Sequence, residues 1–228
     1  MVTIIMNDVI ALCQTLRLAS PALPIGAYSY SQGLEAAVVK GWVADEAGAR
    51  DWIGGLLTHA IARTDLPLLC RLRHALEARD HAMLVFWSRY LRASREAREL
   101  ADEDCALGTS LLRLLADDDW ADLARGDGVI PSLPLGFAAA SLAWRIPEHG
   151  ALTAYAWSWL ENQIAAALKT VPLGQSAAQR IVSGMLEPLA QIVSRAPEIG
   201  DDEIGALAPG FAMACAHHET QYTRLFRS

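Results

Sequence analysis

The segment that decides how this chain folds is ASPALPIGAYSYSQGLE, residues Ala19–Glu35, because it interrupts a sequence that is otherwise helical in pattern. Pro21 and Pro24 hold the backbone extended, since each proline fixes its own φ and biases the preceding residue away from the helical region. Gly26 then permits a sharp bend at little steric cost. The segment therefore predicts a rigid corner between two helices.

The residues after the bend admit two interpretations. Ser29 and Gln32 have the S-x-x-Q spacing of a capping box, which predicts that a helix begins here and continues to about Val39. Gly33 leaves one side of that helix thin, so another backbone can come close. The segment is then either a helix–loop–helix corner whose tyrosines, Tyr28 among them, belong to the core, or a rigid loop that presents a surface to a partner.

Helical periodicity continues beyond this corner, and no convincing alternating strand is found. The acidic stretch Asp117–Ser132 is the one clear break, and we expect it to be a loop because helices resume with the same composition. The sequence therefore predicts an all-α fold, a single-domain bundle of about ten helices without internal repeats. The predicted helices cover residues 4–18, 30–39, 46–63, a fourth from 65, 81–93, 94–115, 135–146, 152–171, 176–195 and 201–220.

Local signals in these helices predict particular roles. Asp65 is expected to be the N-cap of the fourth helix, and Ser176 with Gln179 forms a second capping box. Pro188 is expected to kink or end the helix that follows. Gly108 costs a helix roughly 1 kcal/mol against alanine, so we expect it to serve close packing. Arginines spaced by three predict a solvated, salt-bridged face: Arg89, Arg92, Arg95 and Arg98.

Composition excludes several classes of protein. The net charge of −7 argues against broad binding to nucleic acid. No apolar run is long enough to span a bilayer, and the start of the chain lacks a basic signal-peptide region, so we expect a cytoplasmic protein without a membrane segment. With 53% hydrophobic residues, the surface should be apolar enough to need partners. Four widely spaced cysteines indicate reduced, mostly buried thiols: Cys13, Cys70, Cys105 and Cys215.

Catalytic motifs are absent from the sequence: it contains no Gly-rich phosphate loop, H-E-x-x-H pair or G-x-S-x-G elbow. His217 and His218 are the only clustered histidines, and adjacent helical residues point in directions too different for good chelation. A symmetric dimer could still unite two such pairs, which leaves open a small-molecule or metal-binding helical dimer. Glu35 and Lys169 stand out as charges on apolar helices, and each is either a partner contact or a capping or snorkelling charge.

Four separated stretches of the chain resemble the urease accessory protein F family (UreF). Their order and spacing also match, so the resemblance covers essentially the whole chain. The chain departs from the family pattern at Ala27, where a second glycine is frequent, and at His217, where an arginine is common. The four stretches are Ala19–Glu35 with Gly41–Val43, Ser94–Asp104, Lys169–Arg180 and His218–Ser228.

The resemblance implies a cytoplasmic protein with one UreF-like domain over residues 1–228, without catalytic residues or a cofactor. Such a protein would dimerise and bridge the accessory protein UreD/UreH and the nickel-carrying GTPase UreG. It would gate the GTP-dependent insertion of nickel into apo-urease. By resemblance, Glu35, Lys169 and Gln175 face the GTPase. The tail from about residue 218 would dock into UreD/UreH through Tyr222, Arg224, Leu225, Phe226 and Arg227. The corner after the first helix would serve as a structural motif, with the residues Pro21, Pro24, Gly26, Tyr28, Ser29, Gln32 and Gly33.

Overall fold

The architecture was taken from a computed structural model that describes residues 2–205 and 208–228. Within those residues the chain forms helices and contains no strand, which confirms the predicted all-α, single-domain bundle. A π-helical segment, Leu57–Asp65, joins α3 directly to α4, and 3₁₀ turns occupy Ala27–Ser29, Ala196–Glu198 and Asp201–Glu203. The α-helices are α1 Val2–Ala19, α2 Leu34–Val39, α3 Glu46–Leu56, α4 Leu66–Glu77, α5 His81–Ala93, α6 Arg98–Leu114, α7 Asp119–Ala124, α8 Leu133–Ala143, α9 Glu148–Thr170, α10 Gln175–Arg195 and α11 Pro209–Glu219.

Helix α8 lies at the centre of the bundle because it is apolar on every side. It packs against α4, α6, α7 and α9. Glycines permit its closest contacts: a Cβ added at Gly136 would lie 3.1 Å from a side-chain carbon of Leu111. A Cβ added at Gly108 would lie only 2.2 Å from the carbonyl oxygen of Ser132. The packing role predicted for Gly108 is therefore confirmed.

Helix α9 anchors the corner that follows α1. The side-chain amide of Asn162 donates to the carbonyl of Tyr30 over 2.9 Å, and that of Gln163 donates to the carbonyl of Ser31 over 3.2 Å. The indole of Trp159 donates to the side-chain oxygen of Gln32 over 2.7 Å. Three successive residues of the corner are thereby fixed to one helix. Among the described helices, none combines the length and hydropathy needed to cross a membrane.

The predicted capping box at Ser29 and Gln32 is wrong. Ser29 lies in a 3₁₀ turn, and α2 begins only at Leu34. The two residues before it turn the chain through left-handed conformations, with φ of 52° at Gln32 and 75° at Gly33. The side chain of Gln32 is drawn away from the helix start because it bonds Trp159 and a carboxylate of α6.

Three other local predictions also need revision. The second capping box is wrong, because α10 begins at Gln175 and places Ser176 inside its first turn. Of the two effects predicted for Pro188, an end to the helix is excluded, because α10 continues through it to Arg195. The predicted loop Asp117–Ser132 contains the short helix α7, whose N-cap Asp118 accepts a hydrogen bond from the backbone of Trp120.

A buried ionic network corrects the roles expected for Asp65 and Arg95. Nη2 of Arg95 lies 2.8 Å from Asp65 Oδ1 and 3.1 Å from Asp104 Oδ2, and the hydroxyl of Tyr155 donates to Asp65 over 2.6 Å. Asp65 is thus committed to this network instead of capping α4. The chain breaks between α5 and α6, so α6 begins at residue 98 instead of 94. That break turns Arg95 inward, away from the solvated face predicted for it.

Candidate partner-binding site

The C-terminal tail, which we define as Thr220–Ser228, follows α11 and returns to the corner after α1. Its bonds reach α2, α6 and the turn at Ser29–Ser31. Residues at opposite ends of the sequence therefore form one surface. Most of the residues singled out from the sequence lie within it or beside it.

Glu35 is the principal attachment point of the tail. It lies in the first turn of α2 and is buried, with only 5% of its surface exposed. Its carboxylate accepts the backbone N–H of Leu225 over 2.8 Å and that of Phe226 over 3.0 Å. It also accepts the side-chain amide of Gln221 over 3.0 Å. Hydrogen bonds to a charged acceptor are the stronger kind, so this one side chain fixes the path of the tail.

Two serines and a backbone pairing hold the end of the tail. Ser31 donates twice to the carbonyl oxygen of Ser228, from its N–H over 2.8 Å and from its hydroxyl over 2.6 Å. The backbone N–H of Arg227 donates to the carbonyl of Ser29 over 2.9 Å. Ser29 therefore serves the tail as a backbone acceptor, although its predicted capping role was wrong.

Glu103 on α6 binds both the end of the tail and the corner. Its carboxylate accepts the hydroxyl of Ser228 over 2.5 Å and the side-chain amide of Gln32 over 2.8 Å. Burial raises the pKa of Glu103 to about 7, although the two hydrogen bonds oppose that rise. The carboxyl group is therefore partly protonated near neutral pH. Glu103 links the corner, through Gln32, to the end of the tail.

Glu99 on α6 binds one basic side chain of α11 and one of the tail. The Nδ1 atom of His218, which is fully buried, lies 2.6 Å from Glu99. Arg224 forms an ion pair with the same carboxylate and also donates to the carbonyls of Glu219 and Gln221. Arg224 is thus engaged within the chain and braces the start of the tail.

The histidine pair occupies two separate environments. His218 points into the protein toward Glu99, whereas the ring of His217 lies edge-on to Trp42 with their centroids 6.1 Å apart. Among the described residues, no three His, Cys, Asp or Glu side chains are grouped so as to hold a metal ion. Within one chain, the pair is arranged as two packed histidines instead of a chelate.

Lys169 and Phe226 lie together at the end of α9. The ring of Phe226 is buried, and the ammonium of Lys169 lies 5.3 Å from its centroid, within the range of a cation–π interaction. Lys169 itself is exposed and lines a surface groove with Tyr28 and Leu225. Gln175 is exposed at the start of α10, where it lines a second hollow with Arg180.

The outer face of the tail is apolar and open. Tyr222 is fully exposed, and Leu225 exposes 72% of its surface. Tyr28 adjoins Leu225 across the groove and is 69% exposed, whereas Tyr30 is buried. Of the two tyrosines, Tyr30 therefore belongs to the core and Tyr28 to the surface. Gly26 has the left-handed φ of 84° expected for the bend, and Pro21 and Pro24 lie exposed before it.

Comparison with known proteins identifies the family. A sequence model of UreF matches residues 43–186. The chain belongs to the UreF family. Three relatives named "Urease accessory protein UreF" agree with this assignment. That of Pseudomonas fluorescens is 50% identical, over 93% of this chain and 97% of its own. That of Azoarcus sp. is 47% identical over 97% of both chains, and that of Alkalilimnicola ehrlichii is 46% identical over 93% of both.

In this UreF chain, four residues that hold the tail were missed from the sequence: Ser31, Glu99, Glu103 and Gln221. Glu99 and Glu103 carried a usable signal, because residues four apart lie on one face of a helix. Two carboxylates on the inner face of α6 indicate a polar partner that must be found elsewhere in the chain. Ser31 and Gln221 carried no such signal, since their bonds join residues nearly 200 positions apart.

Proposed function

We propose that this UreF protein is a non-catalytic accessory factor that matures urease in the cytoplasm. In this proposal it bridges UreD/UreH and the GTPase UreG, and gates the GTP-dependent insertion of nickel into apo-urease. The names of its relatives support the link to urease. The observation that carries the bridging role is the tail, whose backbone is held by buried groups while Tyr222 and Leu225 face outward.

The outer face of the tail has the properties of a binding hot spot. Aromatic and arginine side chains dominate the energetics of protein interfaces. Tyr222 and Arg227 supply such groups, and Leu225 adds exposed apolar area beside them. All three lie on a segment that is already ordered, so less conformational entropy is lost on binding. We therefore assign these residues to direct contact with UreD/UreH. Arg224 and Phe226 would act by holding the tail in its binding conformation.

The proposed GTPase contacts are the exposed side chains Lys169 and Gln175. Glu35 would act on that face indirectly, because its carboxylate is engaged by the tail. A direct contact of Glu35 with the GTPase would require the tail to leave. Loss of Glu35 should therefore impair both partners, whereas loss of Lys169 should impair only UreG.

Co-purification of the full chain with each partner tests these assignments. Tyr222→Ala with Leu225→Ala should lower recovery of UreD/UreH at least about tenfold, the equivalent of roughly 1.4 kcal/mol. Lys169→Glu should lower recovery of UreG and leave UreD/UreH binding intact. The matched control is Met213→Ala with Leu186→Ala, which truncates exposed apolar residues on α11 and α10. Equal recovery of UreD/UreH with both double variants would contradict the role of the tail.

Helix α1 supports a homodimer as part of this proposal. Its outer side exposes more than half of each of five apolar side chains: Met6, Val9, Ile10, Leu12 and Leu16. An antiparallel pair of α1 helices centred between Leu12 and Cys13 would bring Val9 against Leu16 of the partner subunit. The same register sets Asp8 level with Arg17 of the partner subunit. The apolar stripe is therefore self-complementary, as a two-fold interface requires.

Cross-linking at Cys13 tests the dimer. Helix axes in contact lie 8–10 Å apart, so a short bismaleimide should join two exposed Cys13 thiols near the two-fold axis. Cys13→Ser should abolish the cross-link, and Leu16→Arg should convert the protein to a monomer in gel filtration. A wild-type protein that elutes as a monomer at micromolar concentration would refute this interface.

A further inference from the structure

A cavity of about 140 Å³ lies beneath the loop Ser20–Tyr28. The loop forms its roof through Leu23 and Ile25, and its walls come from α1, α6, α8 and α9. Leu107 and Phe137 lie on its inner side. The two prolines of the loop hold this roof rigid, so the corner that organises the fold also encloses the cavity.

Four polar side chains that line this cavity are already paired within the protein: Gln32, Glu103, Tyr155 and Asn162. Gln32 donates to Glu103 and accepts from Trp159. Asn162 donates to the carbonyl of Tyr30, and the hydroxyl of Tyr155 donates to Asp65. A buried water or polar ligand needs two or more hydrogen-bonding partners, so an apolar occupant fits these walls better.

The size of the cavity sets the size of its occupant. An engineered protein cavity of about 150 Å³ lined by Leu, Ile and Phe binds benzene or xenon. The lining residues that reach the surface include Tyr28, which is exposed, and Glu161 on α9, which is half-buried. A carboxylate at this position disfavours an anionic ligand.

We propose that this cavity is a binding site for a small, uncharged, apolar molecule of about the size of one benzene ring. The molecule would enter between Tyr28 and α9 and pack between the roof of the loop and the side chains of α6 and α8. This site is independent of the proposed partners, so the isolated full-length protein is sufficient to test it.

Titration with benzene, followed by NMR of the leucine and isoleucine methyl groups, provides the test. Benzene should saturate with one molecule per chain and shift the methyl signals of Leu23, Ile25 and Leu107. Phenol should bind at least about tenfold more weakly, because its hydroxyl would be buried without a free partner. Benzene binding that does not saturate, or that moves signals over the whole surface, would overturn the proposal.

Two substitutions in the cavity should change binding in opposite directions. Ala19→Leu fills the cavity and should weaken benzene binding at least about tenfold. Leu23→Ala enlarges it and should admit a larger ring such as propylbenzene, which the wild type should bind poorly. Ala216→Leu, an exposed change on α11, is the control and should bind benzene as the wild type does. If Ala19→Leu does not fold, equal affinities of Leu23→Ala and wild type for propylbenzene refute the site.

Discussion

Glu103→Gln should make the stability of this protein less dependent on pH. The unfolded chain ionises this carboxyl near its ordinary pKa of 4.5, whereas burial raises its pKa in the folded protein to about 7. Between these values the unfolded chain releases a proton that the folded chain retains. The wild type is therefore relatively more stable below pH 4.5, and this advantage is lost as the pH rises through 7. Glutamine keeps the shape of the side chain and removes the titration.

The size of the effect follows from the difference between the two pKa values. At 1.36 kcal/mol per pH unit, it amounts to about 3 kcal/mol in the free energy of unfolding. Relative to Glu103→Gln, the wild type should lose about this amount between pH 4.5 and pH 7.5. Other carboxyl groups titrate in both proteins, so their effects cancel in the difference.

Urea unfolding at 25 °C, followed by circular dichroism at several pH values, measures this difference. Glu187→Gln is the matched control, because it makes the same chemical change at an exposed position of α10. A difference between wild type and Glu103→Gln that stays constant from pH 4.5 to pH 7.5 would refute the reasoning. It would mean that the folded protein ionises Glu103 as readily as the unfolded chain does.

Three further substitutions test the packing and the tail. Gly108→Ala forces a methyl group against the backbone carbonyl of Ser132, so it should destabilise the protein by about 1–3 kcal/mol or more. An unchanged thermal midpoint would contradict this close contact. Arg95→Leu strands the buried carboxylates of Asp65 and Asp104 and should cost about 3–5 kcal/mol in urea unfolding; a loss below 1 kcal/mol would argue against the network. Glu35→Gln weakens the attachment of the tail, so trypsin should cleave after Arg224 faster while the helical circular dichroism is kept; an unchanged cleavage rate would show that Glu35 does not hold the tail.

The sequence was sufficient for the helices and for some of their contacts, because those depend on local pattern. Gly26 and Gly108 were interpreted correctly, since a bend and a close helix contact each require glycine. The capping box at Ser29 failed because a tertiary contact overrides it. Gln32 bonds groups on α6 and α9, and this pairing moves the helix start to Leu34.

The candidate site was predictable in some of its members and not in its geometry. The resemblance selected Glu35 and Phe226 separately, but no local rule indicates that the carboxylate of one binds the backbone N–H of the other. Arg95 illustrates the same limit. Its spacing with neighbouring arginines predicts a solvated face, but the break between α5 and α6 turns its side chain inward. Burial of a charged group depends on partners that are distant in sequence, here Asp65 and Asp104.

The hydrogen bonds between Glu35 and the tail also determine when, during synthesis of the chain, this surface can form. The carboxylate and the backbone groups that it binds are separated by about 190 residues of sequence. At a synthesis rate of 5–20 residues per second, roughly 10–40 s pass between the synthesis of the first partner and that of the second. During this interval the carboxylate of Glu35 lacks the backbone N–H groups of Leu225 and Phe226. A chain whose synthesis stops early never forms these hydrogen bonds. The surface proposed to meet the partners is thus formed only by chains that have been translated through the tail.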